Sequence, residues 1–434
     1  MDAPWSSKET LATKDRMERL SKEILDFERY IEPTKEEALN RDTLLYQIAQ
    51  LVESLWPGNN TITAFGSSVT GLVFPASDVD VNINFDELPK KNVIDILKVL
   101  RKRAVDAKIF RFNDTTLAAK AKVPVLMGTD ENNVSIDITI QNECFSSNRT
   151  AAWIKEYPAL KPLFMVLKQS IGNFRFSDLP VFEPLSAKFA GLASYSLICL
   201  IVSYLQLQAP KDMDPSKKEY YGTLLMGFLK FYSKFEAEKR AIGFEDGGKY
   251  YSKDDCPFTL ETKAGKLTIV DPDIPGVNVA RSTLKFDRVK LMFAHAYKLL
   301  LNRMTESSKT DSILSSILKV EHHYHGDQRS QGTRFKASYV WIENGPPQKK
   351  NMRGNNQFGG NRRGMPYDRN QSRSHQRYER QDESSPDNRR ESYRYTNRYE
   401  QPDEYNQREY QRHKRNNNSH LAQHYKQKAD RSRR

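Results

Sequence analysis

Two carboxylates and a Gly-Ser turn lie within one short stretch of this chain, FGSSVTGLVFPASDVDVNINF, and together they point to phosphate chemistry. Asp78 and Asp80 are two residues apart in a β-branched run, so on a strand their side chains project to the same face. Neighbouring carboxylates repel each other unless a cation or a proton lies between them. Oxygen ligands after a turn at Gly66 and Ser67 are typical of Mg²⁺ bound with a nucleotide phosphate. Solvated acids at a strand edge are the simpler interpretation of the Asp-x-Asp pair alone.

A third acid lies in a second alternating segment, NVSIDITI, over Asn133–Ile140. Its isoleucines share one face, and Asp137 lies on the other face with serine and threonine. One interpretation is the exposed face of an edge strand. The other is a third metal ligand, which strand pairing places beside the first two acids.

The surrounding elements are predicted from periodicity and turn residues. A strand over Thr61–Phe65 leads into the Gly-Ser turn, and Leu117–Leu126 is predicted as another strand. The apolar spacing predicts one helix over Lys8–Phe27 and a long buried helix over Ser186–Gln208. A further helix over Lys35–Leu55 is expected to begin with a capping box.

The order of these motifs resembles the polymerase-β-like nucleotidyltransferases. More closely, IEPTKEEALNRDTLLYQIAQLVESLWPGNNTITAFGSSVTGLVFPASDVDV resembles the Trf-type noncanonical poly(A) polymerases, and KVPVLMGTDENNVSIDI resembles their third-carboxylate strand. The resemblance implies an α+β fold: a small mixed catalytic sheet with helices, a mainly helical PAP-associated central domain, and a disordered basic tail. It also implies ATP as substrate and two Mg²⁺ or Mn²⁺ ions, with Asp78, Asp80 and Asp137 as catalytic metal ligands.

Four residues are expected to contact the triphosphate. Backbone N–H groups and the hydroxyl at Gly66 and Ser67 are suited to phosphate because glycine permits a close approach. Ser77 is interpreted either as a phosphate donor or as a turn serine. Lys168, in VLKQSI, resembles the family's triphosphate-binding lysine, although without the family it reads as a surface lysine on an amphipathic helix.

The base contacts come from two further motifs. ASYSL resembles the family's Ser-Tyr-Ser, which implies that Tyr195 stacks on the base with Ser194 beside it; a core tyrosine is the alternative. DPDIPGVNVARS resembles the nucleotide recognition motif through Asp271, Asn278 and Arg281. Uridylyltransferases of this superfamily often carry a histidine in that loop. This loop has none, which favours ATP.

The charge of the chain is concentrated at its end. The 434 residues carry a net charge of +13, and residues 345–434 contain 22 Lys and Arg against 11 Asp and Glu, a net of +11. This segment is rich in Arg, Tyr, Asn and Gln, a composition that favours disorder and binding to single-stranded RNA. The predicted divisions are N-terminal helices, catalytic domain, helical central domain, poorly ordered extension and tail: 1–40, 41–150, 151–304, 305–344 and 345–434.

Other features restrict the cellular setting. The three cysteines, Cys144, Cys199 and Cys256, are far apart and predict neither a disulfide framework nor a zinc site. The N-terminus is too polar for a signal peptide, and no membrane span or membrane partner is predicted. The resemblance implies a nuclear or nucleolar protein that acts on RNA 3′ ends with a zinc-knuckle RNA-binding protein, an RNA helicase and, functionally, the nuclear exosome.

Three other functions remain open at this point. A terminal uridylyltransferase has the same fold and differs only in base preference. A non-catalytic RNA-binding scaffold would need a lost carboxylate or Gly-Ser turn, and all are present. A small-molecule nucleotidyltransferase would need neither the recognition loop nor the basic tail.

Overall fold

The computed structural model describes residues 3–89, 92–121, 123–172, 185–254, 267–274, 276–306 and 311–318. The predicted tail, residues 345–434, lies outside the described residues. The described helices include none with both the length and the apolar composition to cross a membrane.

The N-terminal segment forms three helices, α1 (Lys8–Ala12), α2 (Arg16–Ile31) and α3 (Lys35–Leu55). The single helix predicted over Lys8–Phe27 is wrong, because α1 ends before Thr13 and the Asp15 side chain caps a new helix by accepting the Glu18 N–H. The capping box of α3 is confirmed: the Thr34 hydroxyl accepts the Glu37 N–H, and the Glu37 carboxylate accepts the Thr34 N–H.

A five-stranded mixed sheet follows in the order β1-β2-β5-β4-β3. Its strands are β1 (Thr61–Phe65), β2 (Val79–Asn84), β3 (Thr116–Ala118), β4 (Val125–Thr129) and β5 (Ser135–Ile140), with helices α4 (Ser67–Thr70) and α5 (Val93–Asp106) between them. The single strand predicted over Leu117–Leu126 is wrong. The chain turns at Ala119 and Lys120, and β3 and β4 pair antiparallel.

Strand β5 is central in this sheet, so the edge-strand interpretation of its acid is wrong. It pairs in parallel with β2 on one side and antiparallel with β4 on the other. Its isoleucines and those of β2 are buried in a core that α3 and α5 share. This apolar core fixes the register, because a slip of one residue would turn the apolar face toward solvent.

The second half of the described chain is mainly helical and has its own apolar core. Its elements are α6 (Phe145–Glu156), α7 (Leu160–Gly172), α8 (Ser194–Leu207), α9 (Tyr221–Tyr232), β6 (Arg240–Gly243), β7 (Lys249–Ser252), β8 (Thr268–Ile269) and α10 (Phe286–Thr305). The predicted domain divisions after residues 40 and 150 fall inside α3 and α6.

The long helix predicted over Ser186–Gln208 is partly wrong, because α8 begins only at Ser194. Ala190 adopts a left-handed conformation, and Gly191 lies so close to the backbone of Leu185 that a Cβ atom there would be 1.9 Å from the Leu185 carbonyl oxygen. A helix cannot continue through this close approach.

A buried ion pair joins α2 to the last described segment. Arg19 Nε donates to Glu23 at 3.0 Å, and both side chains are at most 1% exposed. The Glu23 carboxylate also accepts the Ser312 hydroxyl and the backbone N–H groups of Ile313 and Leu314. One carboxylate therefore anchors residues 312–314 to the N-terminal helix.

We expect Glu23→Gln to lower the free energy of unfolding by about 3 kcal/mol, because it removes one charge of a fully buried ion pair together with one of the two carboxylate oxygens that accept from Ser312, Ile313 and Leu314. Glu18→Gln, on the same helix, is the matched control. Glu18 pairs with Lys22 on the exposed face, so its loss should cost less than about 1 kcal/mol. Urea denaturation measures both variants, and equal losses would contradict the anchoring role.

Candidate functional site

Three carboxylates meet at one end of the β2–β5 pair. Asp80 on β2 and Asp137 on β5 are register partners on adjacent parallel strands, which lie about 4.8 Å apart. Asp78 stands just ahead of β2, and its charge acts on both of the others. The structure thus brings together the three acids that the sequence singled out.

Burial and mutual repulsion make these carboxylates hard to ionise. Burial, and then the charge of Asp78, raise the pKa of Asp80 to about 7. Burial raises the pKa of Asp137 to about 7 as well, with the charges of Asp78 and Asp80 adding to the shift. One Asp137 oxygen, Oδ1, is buried without a hydrogen-bond partner. At least one oxygen of the cluster is therefore available to a further ligand.

These features fit a divalent cation. Among the described residues, no group of three or more His, Cys, Asp and Glu side chains is placed so that it could hold a metal ion by itself. Mg²⁺ commonly binds through one or two carboxylates and completes its shell with water and substrate phosphates. The three acids are thus suited to an ion that arrives with a nucleotide.

The Gly-Ser turn packs directly against this cluster. Gly66 has φ +64°, and a Cβ atom there would lie 2.2 Å from Asp80 Oδ2, so only glycine fits. The Gly66 N–H donates to Ser147 Oγ at 2.8 Å, and the Ser67 N–H donates to Asp80 and lowers its pKa slightly. Both predicted backbone donors are thus engaged within the protein.

A buried arginine holds the loop that leads to the acids. Arg41, on α3, donates to the carbonyl oxygens of Phe74, Pro75 and Ser77. The Ser77 hydroxyl accepts the Phe74 N–H at 2.9 Å, which closes the turn. Ser77 is thus a turn serine in this arrangement.

Lys168 and Ser194, the lysine and serine predicted for the helical domain, are hydrogen-bonded to each other. Lys168 Nζ, on α7, donates to Ser194 Oγ, at the start of α8, at 2.9 Å. Burial lowers the pKa of Lys168. A partly desolvated ammonium group of this kind interacts strongly with phosphate once one is in reach.

Tyr195 follows Ser194 and stacks on Trp153 of α6, with ring centroids 6.4 Å apart and planes at 23°. Its hydroxyl is buried and has no hydrogen-bond partner among the described groups. Burial raises the pKa of Tyr195 far above its usual value, and the nearby Asp271 and Asp273 add to the shift. The ring therefore forms one wall next to the recognition loop.

The recognition loop is held internally by its own polar side chains. Asp271 Oδ1 accepts the N–H groups of Asp273 and Ile274. Asn278 is buried: its Oδ1 accepts the N–H groups of Ile269 and Ala280, and its Nδ2 donates to the Leu267 carbonyl. The amide of Asn278 shapes the loop, while Arg281 is exposed at its end.

Several residues of the site were missed from the sequence. They are Arg41, Ser147, Arg149, Trp153 and Asp273. Arg149 forms a bidentate ion pair with Asp273, with Nε at 3.1 and 3.2 Å from the two carboxylate oxygens. No spacing rule links residues 124 positions apart.

Two family models match this chain. Residues 20–149 match the central palm domain of the mitochondrial-like poly(A) RNA polymerases, and residues 220–276 match the Cid1 family of poly(A) polymerases.

Curated relatives include poly(A) RNA polymerase protein 1 of Saccharomyces cerevisiae, 26% identical over 76% of this chain and 51% of the relative. Another is poly(A) RNA polymerase cid14 of Schizosaccharomyces pombe, 30% identical over 69% of this chain and 45% of the relative. The chain thus spans about half the length of these relatives. An inactive noncanonical poly(A) RNA polymerase, Trf4-2 of Drosophila melanogaster, is 28% identical over 69% of this chain and 73% of its own.

Solved structures show the same fold. The polymerase core of TRAMP, an RNA surveillance complex, is 26% identical, has a TM-score of 0.64, and is matched over 74% of this chain and 100% of its own. The Cid1 poly(U) polymerase, solved with Mg and 3′-dATP, is 21% identical with a TM-score of 0.54, over 68% of this chain and 98% of its own. The resemblance to Trf-type noncanonical poly(A) polymerases and the polymerase-β-like fold are thus confirmed.

We expect Asp137→Asn to raise the melting temperature of metal-free protein at pH 8. The folded-state pKa of Asp137, about 7, exceeds the ordinary value of 3.8, so the folded protein loses stability as pH rises from about 4 to 7. Removing one charge relieves this repulsion, and each kcal/mol regained adds roughly 2–4 °C for a domain of this size.

Asp86→Asn, an exposed acid six residues beyond Asp80, is the matched control. The gain should shrink toward pH 4, and added Mg²⁺ or Mn²⁺ should stabilise the wild type at pH 8 more than Asp137→Asn. Thermal melts across this pH range measure both effects. A lower melting temperature for Asp137→Asn at pH 8 would contradict the repulsion.

Proposed function

We propose that this relative of the Trf-type noncanonical poly(A) polymerases is a template-independent RNA 3′-end adenylyltransferase. The observation that carries the proposal is the meeting of Asp78, Asp80 and Asp137 beside a Gly-Ser turn, with two pKa values raised to about 7. Such a cluster is poised for cations, which transfer of a nucleotidyl group to a hydroxyl requires.

Each acid has a role in this proposal. Asp78 and Asp80 would hold both divalent ions, Mg²⁺ or Mn²⁺, and Asp137 would hold only the ion next to the RNA 3′-OH. When bound, the ions supply charge neutralisation at the phosphates and a lower pKa for the attacking hydroxyl. The buried strands keep the carboxylates at fixed spacing, so no rearrangement is needed when the ions and ATP arrive.

The nucleotide would lie between the turn and the helical domain. The Ser67 and Ser77 hydroxyls and the Lys168 ammonium group would contact the triphosphate. Tyr195, backed by Trp153, would stack on the base, and its unpartnered hydroxyl would meet a polar group of the nucleotide. Ser194 would orient Lys168, as their hydrogen bond indicates.

The recognition loop would select the base. Asp271 would face the base edge, Asn278 would hold the loop in shape from inside, and the exposed Arg281 would contact the nucleotide or the RNA. The absence of histidine from Asp271 to Arg281 favours ATP. The fold shared with a poly(U) polymerase leaves the terminal uridylyltransferase as the second candidate, because the fold alone does not decide the base.

The wider role we propose is RNA surveillance, processing and decay in the nucleus. Its support is the likeness to the polymerase core of an RNA surveillance complex, together with the Arg- and Tyr-rich tail. The partners would be a zinc-knuckle RNA-binding protein and an RNA helicase, with the nuclear exosome acting downstream on the extended RNA.

The test is extension of a short labelled RNA by the purified protein, with each NTP offered separately and with Mg²⁺ or Mn²⁺. We expect extension with ATP at least about tenfold faster than with UTP. Extension mainly with UTP would overturn the base assignment. No extension with any NTP, with or without a zinc-knuckle partner, would favour the RNA-binding scaffold and overturn the proposal.

The catalytic assignment is tested by Asp78→Ala with Asp80→Ala. Loss of both ligands should abolish extension while the fold persists, because the acids contribute repulsion and no core packing. Asp86→Ala is the control and should extend RNA as the wild type does. Full activity of the double variant, with an unchanged melting curve, would contradict the metal site.

A further inference from the structure

Helix α6 contacts both of the elements that would hold the two ends of a nucleotide. Ser147 accepts the N–H of Gly66, in the turn beside the acids. Arg149 binds the carboxylate of Asp273, in the recognition loop. Residues two apart on a helix point about 200° apart, so the turn and the loop lie on different sides of α6. A rigid helical turn thus sets the spacing between them.

Arg149 also reaches the aromatic wall of the site. Its guanidinium carbon lies 5.9 Å from the centroid of the Trp153 ring, one turn further along α6. Trp153 in turn stacks on Tyr195. Asp273, Arg149, Trp153 and Tyr195 therefore form one contiguous series, from the loop that would read the base to the ring that would stack on it.

The position of Asp273 decides the shape of the loop. Its N–H, with that of Ile274, donates to Asp271 Oδ1, so the backbone at Asp273 and the side chain of Asp271 are fixed together. At the far end, Asn278 already ties the loop to Leu267 and Ile269. The Arg149–Asp273 pair attaches the N-terminal part of the loop to α6.

We propose that Arg149 is a positioning residue for nucleotide selection. Its pair with Asp273 fixes the Asp271–Arg281 loop against α6 at a set distance from the Gly66 turn. A nucleotide whose phosphates are bound at the turn therefore presents its base to the loop in a single position. The inference rests on the proposed function and names a residue through which that site discriminates between bases.

The geometry predicts that this ion pair contributes more free energy to holding the loop than an ordinary surface pair would. Exposed pairs contribute little because water screens them and their side chains lose entropy on pairing. Here the contact is bidentate, the Asp273 side chain is only 20% exposed, and the guanidinium is also held by an aromatic ring. Loss of the pair should therefore loosen the loop without unfolding the domain.

The experiment compares full-length wild type with Arg149→Ala, Arg149→Lys and Asp273→Asn. Arg111→Ala is the control for a surface pair, because Arg111 is exposed to about the same degree as Arg149 but pairs with a more exposed aspartate, Asp114. The readouts are KM and kcat for ATP and for UTP, binding of ATP with Mg²⁺ by calorimetry in the absence of RNA, and the melting temperature.

We expect Arg149→Ala and Asp273→Asn to raise KM for ATP about 3- to 10-fold and to lower the ATP-to-UTP ratio of kcat/KM by a similar factor. The kcat at saturating ATP should stay within about twofold, because the carboxylates are untouched. Arg149→Lys keeps the charge but loses the bidentate fork, so it should fall between wild type and Arg149→Ala. Arg111→Ala should match the wild type.

A further variant exchanges the charges, Arg149→Asp with Asp273→Arg. It should recover at least half of the lost base discrimination relative to Arg149→Asp alone, which a merely structural role would not produce. Unchanged KM and unchanged discrimination in Arg149→Ala and Asp273→Asn, with ATP still bound, would overturn this inference and leave the proposed function intact. Wild type that binds no NTP would overturn both.

Discussion

Repulsion among Asp78, Asp80 and Asp137 is the constraint on which the rest of this site depends. The parallel register of β2 and β5 forces two carboxylates into adjacent positions, and burial removes the water that would screen them. Two neighbours offset part of the repulsion among the carboxylates. The Ser67 N–H donates to Asp80, and the charge of Arg41 lowers the pKa of Asp80. What makes the arrangement possible is the apolar core under the same strands, which holds the register against the repulsion. The protein therefore keeps a locally unstable cluster because a stable sheet lies beneath it, as is typical of sites that await a cation.

Around this cluster, the polar side chains mostly shape backbone. Arg41 donates to three carbonyl oxygens of the loop before the acids, and Ser147 accepts the Gly66 N–H. The side-chain amide of Asn278 forms its hydrogen bonds with the backbone of its own loop and of the adjoining strand. These contacts fix where Asp80, Ser67 and Asp271 stand. A motif residue can thus be essential without touching a nucleotide, because it sets the position of one that does.

The placement of the acids on neighbouring strands was predictable from the sequence because its signals are local. Alternating β-branched residues placed Asp80 and Asp137 on strands, and the Gly-Ser turn marked a close approach. The wrong predictions came from tertiary contacts that periodicity does not encode, such as the close approach of Gly191 to Leu185, which delays the start of α8. Arg149 and Asp273 were missed for the same reason. Their pairing depends on how α6 packs against a loop 124 residues further along the chain, and a single sequence carries no periodic trace of it.

The fold and the base preference of these polymerases can be separated in the same way. One fold accommodates a poly(A) polymerase core and a poly(U) polymerase, so the sheet and helices cannot by themselves decide the base. In our proposal, activity rests on the three carboxylates and base choice rests on the loop and the residues that hold it. Among the described residues, Asn278 and the backbone hydrogen bonds of Val270 and Asp271 hold the loop to its own neighbours, and the Asp273 side chain attaches it to α6 through Arg149. In this proposal, a change of the residue that pairs with Asp273 would alter base preference, while the sheet and its three acids stay the same.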